Sequence, residues 1–194
     1  MIELRSYPSL VTESECLAGC SCGKKHPNPS VSLYFHEDAD TVMAEDVAAC
    51  FPGSDVLVIS DPNTDAVAGR RLRHKLADNG VELDHKLLND YPHATDRLAD
   101  EISTCCQRKK LVISVGSGTI NDLGKYCADR RGLPFWTMPT APSMNGYTSG
   151  IAALQVNGLK RTLPTAPPQR IYAIPSAVRS APIKLMQAGF CDVM

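Results

Sequence analysis

Residues 110–115, Lys-Leu-Val-Ile-Ser-Val, form the clearest strand signal, a mainly apolar, β-branched run that passes straight into Gly116-Ser-Gly118 and then into a helical pattern. No other feature restricts the fold as much. A run of this kind is a strand buried on both faces, and a strand followed at once by a helix requires a crossover connection. The same exchange recurs on either side. Residues 55–60, Asp-Val-Leu-Val-Ile-Ser, read as a buried strand and Asp61-Pro62-Asn63 as a turn. Thr64 is placed to cap a helix whose inner face is Ala68, Leu72 and Leu76, and Asn79-Gly80 ends it. Residues 81–87 alternate as a half-buried strand. Thr95 or Asp96 then opens a helix facing inward through Leu98, Ile102, Cys105 and Cys106. The helix after the glycine turn carries Ile120, Leu123 and Cys127, ends at Gly132, and is followed by a short strand at 133–137.

Strands and helices taking turns in this way imply an α/β fold, a Rossmann-like doubly wound parallel sheet. After Pro139 the texture changes. Residues 151–156, the Asn157-Gly158 turn and residues 159–163 read as a β-hairpin; 171–174 add a strand and 181–188 begin a helix.

Composition excludes more than it selects. With 43% hydrophobic and 21% charged residues and a formal net charge of −1, the 194-residue chain gives no electrostatic case for nucleic acid or an anionic membrane. No apolar run approaches the roughly 20 residues that span a bilayer, and residues 1–12 lack the apolar core of a secretory signal, so a cytoplasmic protein is expected. Arg70, Arg71, Arg73 and Lys75 read as a solvated helix face. Cys50, Cys105, Cys106 and Cys127, four of the eight cysteines, lie in apolar helical patterns where a reduced thiol packs as a small hydrophobe. His74, His85 and His93 read as surface residues.

Three segments carry candidate chemistry. In Gly116-Ser-Gly-Thr-Ile-Asn-Asp122 the glycines let backbone N–H groups approach an anion at a helix start. Asn121 stands where a GxGxxG fingerprint has its third glycine, and a tight structural turn has the same look. Asp61, ending a strand before a crossover helix, is suited to accept from ribose hydroxyls or to form an Asp-Pro turn. The uncharged loop at 139–149, Pro-Thr-Ala-Pro-Ser-Met-Asn-Gly-Tyr-Thr-Ser, is rich in hydroxyl and amide groups. A fourth cluster, Cys16, Cys20, Cys22 and His26, matches a Cys₃His zinc set in residue types, but Cys20 and Cys22 are one residue apart, which suits a structural turn equally.

In their order and spacing, the Gly116–Lys125 turn, the 139–149 loop and Gly189-Phe-Cys-Asp192 resemble the iron-containing alcohol dehydrogenase and dehydroquinate synthase-like superfamily, and within it the bacterial glycerol-1-phosphate dehydrogenases. The resemblance implies NAD or NADP as cofactor and one divalent metal (zinc, nickel or iron) in the full-length protein. Gly116, Gly118, Thr119, Ile120, Asn121 and Asp122 would line the pyrophosphate, and Asp61 the adenosine ribose. Thr140, Ala141, Pro142, Ser143 and Ser149 would lie nearer the nicotinamide. Asn145 and Asp192 would face a phosphorylated triose, with Asp192 the first metal ligand, at a helix start. Asn145 departs from the family's usual Asp, and Asn cannot act as a base at neutral pH. Two further ligands, histidines, are expected beyond Met194, so the sequence reads as the N-terminal part of a longer, homodimeric enzyme. Its expected divisions are an arm at 1–30, a dinucleotide-binding domain at 31–178 and the start of a helical metal-binding domain at 179–194. Lys125 and Lys160 read as solvated, with a substrate phosphate as the other possible partner.

Overall fold

The computed structural model describes residues 31–53 and 55–194, together with Ser21. The Cys16, Cys20, Cys22 and His26 cluster lies outside these residues. The chain runs β1 (Ser32–Phe35), α1 (Ala39–Cys50) and β2 (Asp55–Ser60). A helical turn at Pro62–Thr64 and a π-helical segment at Asp65–Gly69 lead into α2 (Arg70–Asp78). Then come β3 (Glu82–Leu87), α3 (Asp96–Cys105), β4 (Leu111–Gly116), α4 (Gly118–Arg130) and β5 (Phe135–Pro139). A short 3₁₀ turn at Gly146–Thr148 precedes β6 (Ile151–Val156), β7 (Leu159–Pro164), β8 (Arg170–Ala173), α5 (Pro175–Arg179) and α6 (Ile183–Val193).

Six strands form one parallel sheet in the order β1-β8-β5-β4-β2-β3, and β6 pairs with β7 as a separate antiparallel hairpin. The period-two alternation of the central strands explains why both sheet faces are covered. On one face Val56, Val58, Leu111, Ile113 and Trp136 pack under α1 and α2 through Met43, Val47, Leu72 and Leu76. On the other, Leu57, Ile59, Val112 and Phe135 pack under α3, α4 and the hairpin through Ile102, Leu123, Cys127, Ala152 and Leu154. Crossovers that move toward the β3 edge lie on the first face and those that move back lie on the second, as uniformly right-handed connections require.

Local chemistry sets the ends. Thr95 caps α3, accepting from Leu98 N at 3.2 Å. Asn157 (φ 51°) and Gly158 (φ 80°) both take the left-handed conformation of a two-residue hairpin turn. Asp61, rather than Thr64, caps the helical turn after β2: it accepts from Thr64 N at 2.8 Å, and Thr64 Oγ1 accepts from Asp61 N at 3.0 Å. The expected inner face, Ala68, Leu72 and Leu76, is buried as read.

The basic face of α2 is not simply solvated. Arg71 and Lys75 both pair with Asp40 of α1, a carboxylate with 1% exposure. Arg73 reaches both oxygens of Asp65 at 3.0 Å. His85 departs from the surface reading too. It is half-buried, its Nε2 2.7 Å from Ser60 Oγ, and Ser60 Oγ donates to Asp65 Oδ1 at 3.4 Å.

Candidate functional site

In the sheet, β2 connects outward to β3, whereas β4 connects the other way to β5. The strand order therefore reverses between β2 and β4, and the crevice outside their carboxyl ends is where open α/β sheets take ligands. Asp61 follows β2 on one side of that crevice, and the Gly116–Gly118 turn follows β4 on the other.

The turn is built for close approach. A Cβ on Gly116 would stand 2.5 Å from Ile120 Cδ1, so the helix returns over the strand end at a distance only glycine allows. A Cβ on Gly124 would meet Phe135 Cε2 at 2.9 Å and Ser114 Cβ at 3.2 Å. Gly124, three residues past Asn121, thus supplies the tight helix–sheet contact that the third fingerprint glycine would otherwise provide. No side chain caps α4 at Ser117. Its first-turn N–H groups lack intrahelical partners, which together with the helix dipole favours an anion there. Asn121 is fully buried, and neither Oδ1 nor Nδ2 has a hydrogen-bond partner among the described residues. Ile120 is turned inward onto Gly116, so its contribution to a ligand would come from the main chain.

The 139–149 loop closes on this turn. Thr140 N donates to Gly116 O at 3.2 Å, and Met144 Sδ lies 3.2 Å from where a Gly118 Cβ would stand. Tyr147 folds back to donate to Ala141 O at 2.7 Å, and burial pushes its phenol up to about 12. Ser149 Oγ donates to Gly146 O at 2.9 Å and accepts from Lys125.

Lys125 is neither solvated nor turned to a substrate: its side chain has no exposed surface and stands 3.7 Å from Asp122 Oδ1. Burial drives the Lys125 ammonium down and the Asp122 carboxyl up, and the charge of each opposes the other's shift. The i,i+3 spacing of Asp122 and Lys125 was the available sequence signal.

Asp192 lies in the last turn of α6, not at a helix start. Helix α6 crosses the loop so tightly that a Cβ on Gly189 would fall 1.8 Å from Pro142 O. There Asp192 Oδ2 accepts from Asn145 N at 2.8 Å, and Asn145 Nδ2 donates to Asp192 O at 3.2 Å. These two expected site residues, 47 apart in sequence, are in contact. A cleft of about 470 Å³ opens beside the first turn of α4, walled by Thr119, Asp122, His93 and, from the hairpin, Gln155 and Lys160.

Among the described residues no three His, Cys, Asp or Glu side chains gather closely enough to hold a metal, and none of their helices is long and apolar enough to cross a membrane.

A doubly wound parallel sheet with a glycine turn and an acidic residue across its reversal point is a nucleotide-binding architecture. The chain belongs to the iron-containing alcohol dehydrogenase family, whose family model matches residues 34–182. It is 34% identical over 145 residues to a glycerol-1-phosphate dehydrogenase [NAD(P)+] of Bacillus subtilis, covering 72% of this chain and 36% of the relative. With its Bacillus licheniformis counterpart it shares 30% identity over 187 residues, 92% of this chain and 46% of the relative. The chain therefore spans less than half the length of these curated relatives. In fold it is similar to a glycerol dehydrogenase from Schizosaccharomyces pombe, at a TM-score of 0.72 and 20% identity over 87% of this chain and 43% of that one. An archaeal alcohol dehydrogenase from a Red Sea brine pool gives a TM-score of 0.77 at 16% identity, over 88% and 50%.

Proposed function

We propose that this chain is the dinucleotide-binding part of an NAD(P)-dependent glycerol-1-phosphate dehydrogenase. The observation that carries the proposal is the crevice between β2 and β4, with an uncapped helix start on one side and Asp61 on the other. Residues 31–178 form the unit that would bind the dinucleotide.

The residues present fit such a cofactor. Main-chain N–H groups at Gly118, Thr119 and Ile120, together with Gly116, would receive the pyrophosphate, with the buried Asn121 behind them and Asp122 beside them, its charge offset by Lys125. Asp61 would accept from the adenosine ribose with the oxygen that its capping bond leaves over, a use that disfavours a 2′-phosphate. Thr140, Ala141, Pro142, Ser143 and Ser149 would wall the path toward the nicotinamide. When bound, NAD(P)H supplies the hydride for reduction of dihydroxyacetone phosphate to glycerol 1-phosphate. Asn145 and Asp192 would stand at the substrate end, where Asn145 orients a hydroxyl through its amide but takes no proton.

The described residues do not fit a divalent metal. Asp192 is one carboxylate engaged with Asn145, and a catalytic site normally needs three protein ligands.

NADH fluorescence titration of this chain tests the cofactor reading, with saturable binding expected; no binding would remove it. A second reading, a nucleotide-binding module without turnover, is favoured by Asn145, whose amide takes no proton. Binding of NADH without oxidation by dihydroxyacetone phosphate, in a chain extended to the relatives' length, would select it.

A further inference from the structure

The Lys125 ammonium has three N–H groups, and the structure gives it three main acceptors. They are Gly146 O at 3.0 Å, Ser149 O at 3.2 Å and Ser149 Oγ at 3.3 Å. All three belong to the turn that directly follows Asn145. On its own helix Lys125 faces Asp122 Oδ1, and Asp122 Oδ2 accepts from Ala153 N of the hairpin at 3.1 Å. One buried ion pair on α4 therefore grips both the end of the 139–149 loop and the hairpin that follows it. Packing alone does not account for a charge here, because an apolar side chain of similar length would fill the space without desolvating an ammonium. What the charge adds is direction: it fixes main-chain carbonyls that no apolar group could hold.

We propose that Lys125 is a positioning residue, which locks the 146–149 turn to α4 and so sets where the Asn145–Asp192 pair stands relative to the glycine turn. It also neutralises Asp122, which would otherwise present an unpaired carboxylate to an anion arriving beside Thr119. Seating a diphosphate on α4 and holding Asn145 are thereby linked through one ammonium. The link to a diphosphate rests on the function proposed above, whereas the locking of the turn does not.

Hydrogen exchange of the folded chain, with and without NADH, tests this. In Lys125→Met, amides of residues 145–149 should exchange about tenfold faster than in the wild type, the scale of one lost charge-assisted hydrogen bond, while those of β2 and β4 keep their rates. NADH should bind Lys125→Met about tenfold more weakly. The double variant Asp122→Asn/Lys125→Met should recover the binding but not the slow exchange. Uniform acceleration across the sheet, or none at 145–149, overturns the proposal. Should Lys125→Met not fold, Ser149→Ala removes one acceptor and should give a smaller acceleration confined to the same turn; an unchanged turn would again overturn it. If the wild type fails to bind NADH, the dinucleotide reading falls, and the nucleotide-free exchange comparison still decides what Lys125 does.

Discussion

Asn145 and Asp192 hold each other from two directions: Asn145 N donates to one carboxylate oxygen of Asp192 at 2.8 Å, and Asn145 Nδ2 donates to the Asp192 carbonyl at 3.2 Å. The first bond survives any side chain at 145, but the second needs an amide. Asn145→Asp would set a carboxylate against the Asp192 carbonyl and close to its carboxylate. An exposed hydrogen bond contributes about 0.5–1 kcal/mol, so the thermal midpoint should fall by about 1–4 °C. NADH affinity should stay unchanged, because the glycine turn is untouched. A weaker NADH complex with an unaltered midpoint would place Asn145 on the cofactor and not on α6.

Gly189→Ala probes the same junction through the backbone. The added methyl would lie 1.8 Å from Pro142 O, a main-chain atom that cannot swing aside. Helix α6 must lift from the loop, at a cost of about 1–3 kcal/mol typical of overpacking. Limited proteolysis should then cleave within 183–193 while the sheet stays intact. Equal resistance in both proteins would show that the close approach is not needed to hold α6.

The half-buried His85 gives the chain a pH dependence of known sign. Desolvation and the neighbouring Arg73 lower its pKa from the ordinary 6.5, with Asp65 opposing them. Below that value the unfolded chain takes up a proton that the folded chain resists. His85 therefore contributes stability that is complete above about pH 6.5 and is lost as pH falls through the depressed folded value. Urea midpoints at pH 8 and pH 5.5 should differ less in His85→Gln than in the wild type. The same drop in both would assign the acid sensitivity to other groups.

How far the sequence was legible follows from the range of its signals. Hydrophobic runs such as 55–60 and 110–115, the Thr95 cap and the Asn157-Gly158 turn are local, and each appears where local chemistry puts it. Strand β1 and helix α1 have no bounded signal in the sequence beyond the helical pattern at Cys50, because what holds them is not local. The α1 residues Asp40 and Asp46 break its apolar pattern, and both are buried where Arg71, Lys75, Arg170 and Tyr172 reach them from distant elements. Lys125 was misread for the same reason: three of its partners sit 21 or 24 residues away on the loop it holds. The expected cofactor residues on the glycine turn and the 139–149 loop do converge, because Thr140 N bonds to Gly116 O. Asp61 faces them across the crevice, although its capping bond to Thr64 was invisible without the fold.

Gly118→Ala separates binding from stability at the turn itself. Its Cβ would meet Met144 Sδ at 3.2 Å, the movable part of a flexible side chain, so Met144 can shift and the fold should lose less than about 1 kcal/mol. The same methyl would stand at the uncapped start of α4, where backbone N–H groups must come close to a diphosphate. NADH should therefore bind about tenfold more weakly or worse, a penalty of about 1.4 kcal/mol, while the urea midpoint barely moves. Full NADH affinity in Gly118→Ala would mean that the diphosphate does not lie on this turn, and the site would have to be sought in the cleft beside Lys160.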